Sequence, residues 1–183
     1  YKVMCEEVLE EEREAGFVAV TIRPSTVCGY APRLRLDLTV NILTNHAVNN
    51  GKITVFGGDQ MRPNLHIKDM VDLYLHLLTL PAEKIDGGVY NAGYENLAVI
   101  RIAELVRDTL AKGVEIEVTP TDDNRSYHVS SELMKQELGF IPRYTVEDAV
   151  RDLKNAFDEG LIPGPMKKSI YFNIRRMQEV NLT

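Results

Sequence analysis

Val55-Phe56-Gly57-Gly58-Asp59-Gln60-Met61-Arg62-Pro63-Asn64-Leu65-His66-Ile67-Lys68-Asp69-Met70 sets strand, turn, strand and helix start in immediate succession, with an arginine among them. Ile53 and Val55, then Leu65 and Ile67, read as two short strands, with Gly57-Gly58-Asp59 as the turn that joins them. Asp69 reads as the opening of a helix, capping it, because Met70, Leu73, Leu77 and Leu78 recur at helical spacing. Arg62 falls on an irregular stretch beside the second strand. A planar guanidinium there can grip a phosphate through two parallel hydrogen bonds; the plainer reading is a surface ion pair with Asp59.

The bulk properties narrow the field. With 183 residues, 44% of them hydrophobic and 26% charged, the chain is long enough to fold as one ordinary domain, which would bury roughly 70% of its extended surface. No apolar run approaches the roughly 20 residues that a bilayer-spanning helix needs, so no membrane partner is expected. A formal charge of −6 with no basic stripe argues against nucleic acid as a partner. The small clusters Lys167-Lys168 and Arg175-Arg176 read as a solvated tail. Cys5 and Cys28 have neither zinc-ligand spacing nor the number for a disulfide framework, and the start carries no apolar signal segment, which points to a reducing, cytoplasmic setting. His46, His66, His76 and His128 have no carboxylate or cysteine at ligand spacing, so no metal site is expected.

Working outward, residues 2 to 15 read as a helix with Val3, Met4, Val8 and Leu9 on one side and an acidic run opposite, ended by Gly16. Its start has no capping residue ahead of it, as in a helix cut from a longer chain or a frayed terminus. Phe17 to Ile22 is a near-continuous β-branched run, the pattern of a strand covered on both faces in a parallel sheet. A helix is expected from about Leu38 to Asn49, a short strand at Val89-Tyr90-Asn91, and a helix through Ile102, Leu105, Val106 and Leu110. Val114 to Val118 alternates as a half-exposed strand, and Ser131 to Leu138 reads as a helix. Thr145 and Asp148 form a capping-box-like start for a helix to Phe157. Pro163-Gly164-Pro165 breaks the pattern, so residues 161–183 read as a tail over the surface of a body made by residues 1–160. The fold class is α/β, yet no glycine-rich strand-to-helix turn of the dinucleotide-binding type occurs.

An ordered series of motifs resembles the C-terminal part of extended short-chain dehydrogenase/reductases, the NAD(P)-dependent nucleotide-sugar epimerases and dehydratases. The series runs Lys2 with Glu6, Ile22-Arg23-Pro24 to Gly29, Phe56-Gly57-Gly58, Arg62-Pro63-x-x-His66-Ile67-x-Asp69-Met70, Tyr90-Asn91-Ala92-Gly93, Asp123-x-Arg125-x-Tyr127, and Leu138-Gly139-Phe140. It covers nearly the whole chain. The resemblance implies the last sheet strands of an extended Rossmann-type fold with a small mixed α/β substrate-binding subdomain, its N-terminal dinucleotide-binding half lying outside these residues.

By the same resemblance the cofactor is NAD or NADP, and the partner is a nucleotide-diphosphate sugar oxidised transiently at its ring. Lys2 matches the lysine of the family's Tyr-x-x-x-Lys pair, whose tyrosine would stand four residues earlier. Tyr1 cannot serve, since adjacent helix positions do not share a face. Pro24 and Ser25 should pass near the nicotinamide, and Asn41 should face the diphosphate. Phe56 should pack on the base, or otherwise belong to the core. Arg62 and Arg125 match the two arginines that hold the diphosphate, and Arg33 and Arg35 should either contact substrate phosphate or pair with Asp37. The chain alone is expected to be inactive. The first helix should pack across a homodimer interface, or else Val3, Met4, Val8 and Leu9 face their own sheet. The competing reading is a non-catalytic nucleotide-sugar-binding or assembly protein with the same fold.

Overall fold

In the computed structural model, which describes residues 1–110, 113–123 and 125–182, short strands alternate with helices. The strands are β1 (Thr21–Pro24), β2 (Thr26–Cys28), β3 (Lys52–Phe56), β4 (Met61–His66), β5 (Val89–Ala92), β6 (Glu95–Ala98) and β7 (Glu115–Thr119). The helices are α1 (Lys2–Glu11), α2 (Thr39–Asn50), α3 (Ile67–Leu77), α4 (Ala82–Ile85), α5 (Val99–Leu110), α6 (Val146–Asp158) and α7 (Asn173–Glu179). The chain is thus an α/β protein whose pairings are mostly parallel: β1 with β5, β2 with β4, and β3 with β7, while β6 lies antiparallel on β4.

One residue, Ser25, separates β1 from β2, and there the extended chain leaves β5 for β4. The partner side makes the same step, because only Gly93 and Tyr94 separate β5 from β6. Backbone bonds stitch the crossing: the Ser25 N–H donates to the Ala92 carbonyl and the Tyr94 N–H to the Asn64 carbonyl, both at 2.8 Å. Pro63 is tolerated inside β4 because the β2 ladder begins only at Asn64, so that edge is locally open where the missing N–H would point.

The cores follow from helical spacing. Ile102, Val106 and Leu110 on α5 and Val146, Val150 and Leu153 on α6 are buried; all but Leu153 join α2 and β3 in one cluster around Val40, Ile53 and Val55. A second cluster gathers Leu65, Met70, Leu73 and Tyr90. A third packs Leu36 and Leu153 against Ile162 and Tyr171 from the C-terminal segment. That segment is more structured than a bare tail: it carries a 3-10 turn at Ser169–Tyr171 and then α7.

Several expectations from sequence change here. The run from Phe17 is not a strand until Thr21, because its partner turns at Gly87-Gly88. The Ala19 N–H goes instead to the Asp86 carboxylate at 3.1 Å, and Phe17 and Val18 are exposed. The first helix ends at Glu11, where Arg13 turns away to pair with Asp86 at 2.9 Å. Arg62 lies within β4 rather than on an irregular stretch, and its ion-pair partner is Asp123, not Asp59. Leu65 ends up in β4 but Ile67 in α3, whose N-cap is His66: its Nδ1 accepts from the Lys68 N–H at 3.1 Å. Residues Met134–Leu138 form a π-helical turn rather than a regular helix. The Thr145–Asp148 capping box is formed in full.

Asp69, displaced from the capping role, is fully buried and accepts the N–H groups of Arg143 and Tyr144, both at 2.9 Å. It ties α3 to the segment that launches α6. Removing a charged acceptor from two part-buried donors costs about 2–3 kcal/mol. Asp69→Ala is therefore expected to lower the urea midpoint by that equivalent, and Asp69→Asn by roughly half to all of it, since one amide face presents N–H to N–H. Unchanged midpoints for both variants would refute this assignment.

Candidate functional site

Parallel sheets place ligands in the crevice beyond the carboxyl ends of their strands, where neighbouring connections diverge. Here that position is the partner switch at Ser25. A cavity of about 410 Å³ opens there, lined by Lys2, Pro24, Ser25, Gly29, Arg35 and Asn41 among others. It runs into a second cavity of about 320 Å³ through shared walls at Thr26 and Leu38, and the second holds Arg62, Arg125 and Tyr127. A third, of about 230 Å³, shares Asp37, Thr39 and Arg62 with the second and ends at Phe56 and His46. The three form one elongated trench.

The Lys2 end carries an unpaired polar atom: Ser25 Oγ is buried and has no hydrogen-bond partner among the described residues. Such an atom pays a desolvation cost that a ligand group in the cavity would relieve. Lys2, Pro24 and Ser25 are thus brought together. Asn41 also reaches this cavity, but its amide is taken up by the protein, accepting from the Gly29 N–H at 3.0 Å and donating to the Arg35 carbonyl at 2.8 Å. Its effect is to fix the wall formed by the loop from Gly29 to Arg35. Arg35 forks onto Asp37 at 2.9 and 3.2 Å, while Arg33 lies 3.3 Å from Asn173 Oδ1. Burial would raise the Asp37 carboxyl, but Arg35 and the Asn173 N–H outweigh it and hold it below the ordinary value.

The middle of the trench is a two-arginine clamp around a carboxylate. Asp123 Oδ1 accepts from Arg125 Nε at 2.7 Å, and Oδ2 accepts from Arg125 Nη2 at 2.8 Å and from Arg62 Nη2 at 3.3 Å. Arg62 Nη1 donates to its own neighbour's carbonyl, Met61, and to the Arg125 carbonyl. The Arg125 side-chain bonds, with help from its backbone N–H and the Arg62 charge, hold the Asp123 carboxyl well below the usual carboxylate range. Arg62 also stands 5.9 Å from the centre of the Tyr127 ring. Arg62 and Arg125 therefore share one cavity although they stand 63 positions apart in the sequence.

At the far end, Phe56 terminates β3 with 61% of its surface exposed, so it is not a core residue. His46 lines the same recess, and burial keeps its imidazole pKa below the ordinary value. Sequence reasoning gave no role to Asp123, Tyr127 or His46. The pair Asp123-x-Arg125 was the available signal, since an acid two residues ahead of an arginine can fold back on it in a turn.

A partner switch between parallel strands, with a cavity beyond their carboxyl ends, defines a part of the Rossmann-type α/β class. The chain belongs to the NAD dependent epimerase/dehydratase family, whose model matches residues 1–93. Its fold is similar to UDP-glucose 4-epimerase from Thermotoga maritima, solved with UDP-glucose, with a TM-score of 0.73 and 22% identity over 87% of this chain and 52% of that one. It is also similar to dTDP-glucose 4,6-dehydratase from Bacillus anthracis, solved with NAD, with a TM-score of 0.71 and 20% identity over 91% and 52% of the two chains. UDP-glucuronic acid 4-epimerase from Bacillus cereus, solved with UDP-glucuronic acid and NAD, matches with a TM-score of 0.71 and 19% identity over 86% and 50%. The chain spans about half the length of these solved structures.

Cys28 also borders the first cavity, yet it is only 2% exposed, and burial, reinforced by the Glu95 charge, pushes its thiol up to about 12. It is no nucleophile at neutral pH. Cys5 is free and exposed. A thiol titration at pH 8 is expected to find one fast-reacting group, lost in Cys5→Ser, with the second appearing only on denaturation. Two fast thiols in the native chain would contradict the closed packing at Cys28.

Proposed function

We propose that this chain is the substrate-binding part of an NAD(P)-dependent nucleotide-sugar epimerase or dehydratase that acts by transient oxidation of the sugar ring. The observation that carries this reading is the trench itself: two guanidinium groups meet at its middle, an exposed aromatic ring stands at one end, and a lysine with an unpaired hydroxyl stands at the other. A nucleotide-diphosphate sugar has the matching order of base, two phosphates and sugar. Phe56 would face the base, Arg62 and Arg125 would hold the diphosphate as charge-assisted donors, and the sugar would lie toward Ser25. Arg35 and Arg33 border the sugar end. Asn41 acts there by holding the wall.

The residues at the Lys2 end fit a nicotinamide cofactor, because the ammonium and the unpaired Ser25 hydroxyl are the polar groups that ribose and carboxamide require. NAD or NADP, when bound, supplies the hydride acceptor. Lys2 would orient the cofactor's ribose and Pro24 would border its ring. Anchoring the substrate at its diphosphate lets binding energy gathered there fix the sugar carbon in place.

Residues 1–160 form the working body of this reading and residues 161–183 its packed tail. Among the described residues no helix is long and apolar enough to cross a membrane. The two free cysteines suit a reducing cytoplasm. The exposed Val3, Met4 and Val8 on α1 do not face the chain's own sheet, and support a homodimer through that helix.

Two measurements test the proposal. Titration calorimetry with UDP, UDP-glucose and dTDP-glucose is expected to detect binding that Arg62→Ala and Arg125→Ala each weaken by about 10- to 100-fold, the loss of one charge-assisted contact of about 1.5–3 kcal/mol. Absence of binding by the parent chain, or indifference to both substitutions, would overturn the site. Light scattering is expected to give twice the chain mass, falling to the single mass in Val8→Asp; a monomeric parent would remove the dimer.

A further inference from the structure

We infer that Asp123 is a built-in anion that occupies the two-arginine clamp until a phosphorylated ligand displaces it, so that this side chain sets the affinity and the selectivity of the site for diphosphates. The inference rests on the reading of the trench as a diphosphate site. Its ground is the donor inventory of the two guanidinium groups. Arg125 gives the carboxylate its Nε and Nη2, which together are the edge that forks onto an oxyanion. Arg62 gives Nη2 to the same carboxylate and spends Nη1 on the carbonyls of Met61 and Arg125. The Nε/Nη2 edge of Arg125 is thus taken by Asp123, and Arg62 is tied to the same carboxylate through Nη2. A phosphate that takes this edge of Arg125 must take the place of Asp123.

The geometry allows that exchange. Only 13% of the Arg62 side chain is exposed, and its two carbonyl contacts pin it, so it stays where β4 puts it. The Arg125 side chain is 81% exposed and can swing. The Asp123 carboxylate is one-third exposed and can turn toward solvent once its charge partners are taken. Its backbone is separately held: the Asp123 carbonyl accepts from Gln60 Nε2 at 3.0 Å and its N–H donates to Thr121 Oγ1 at 3.2 Å. The side chain can therefore leave while the loop remains. A ligand with a single negative charge gains little by replacing a carboxylate with an equal charge. A diphosphate gains because it brings more charge and more acceptors to the same donors.

Asp123→Asn separates this role from a structural one. The amide oxygen still accepts the Arg125 N–H that Oδ1 accepts at 3.1 Å, so the turn persists, while the competing charge is gone. The parent chain and Asp123→Asn are compared by calorimetry with UDP, inorganic pyrophosphate, UMP and uridine. UDP and pyrophosphate are expected to bind about three- to tenfold tighter to Asp123→Asn, UMP less so, and uridine equally to both; this range corresponds to removing one charge near a partly hydrated anion. Weaker or unchanged UDP binding by Asp123→Asn, with Arg62→Ala still costing affinity, would overturn the inference and leave the site intact. Indifference of UDP binding to Arg62→Ala and Arg125→Ala would overturn the site reading instead.

Discussion

The structure depends on one extended chain changing partners at a single residue. Up to Pro24 the strand is bonded to β5, and from Thr26 it is bonded to β4. Two parallel pairs thus end side by side, and the backbone between them has to diverge. Divergence at the carboxyl ends of parallel strands leaves a gap that side chains of ordinary length do not close. That gap is the first cavity, and the unpaired Ser25 hydroxyl is the residue of the switch itself. Everything else in the trench is arranged outward from this point: α3 starts directly after β4, α2 carries the Asn41 amide to the loop wall, and the edge of β4 left open before Asn64 is where Arg62 lies.

The walls are held by charge and backbone contacts from distant parts of the chain. The Leu36 N–H donates to the Tyr171 carbonyl at 2.8 Å, and Asp37 accepts from the Asn173 N–H at 2.9 Å, so the C-terminal segment braces the loop that carries Arg33 and Arg35. Asp37 in turn keeps the Arg35 fork aligned. The ion pair is partly exposed and worth little in stability on its own. Its effect is orientation: a long, flexible arginine is confined to one edge of the cavity, which lowers the entropy lost when a ligand meets it.

How much of this was legible in the sequence follows from the range of each interaction. Local devices read well. The Thr145–Asp148 box depends on four consecutive residues, and the stripe of Ile102, Val106 and Leu110 on one helix. Interactions set by a distant partner did not. Asp69 has the type and place of an N-cap, but backbone donors 74 and 75 residues away claim it, and His66 caps with a ring nitrogen instead. The β-branched run from Phe17 has strand propensity throughout, yet a strand exists only where Gly87-Gly88 lets the other chain come alongside. The motif order carried Arg62 and Arg125 into one cavity, which no propensity shows. Asp123 was invisible as their partner because its role arises only from that convergence.

The two arginines of the clamp are unequal, and the inequality has a physical consequence. Arg62 belongs to a strand bonded on both sides further along, and its guanidinium is largely enclosed. Arg125 stands on an irregular segment with its side chain in solvent. An anion contacting Arg62 meets a preorganised donor in a less hydrated setting, where each bond is stronger and costs little ordering. An anion contacting Arg125 meets an exposed side chain that must first give up its fork on Asp123, in a screened environment. On the proposed reading the enclosed arginine defines position along the trench, and the exposed one adds a contact to what is already positioned. This ordering places the register of the whole ligand under the control of β4, the strand that the extended chain joins at its change of partner beside the first cavity.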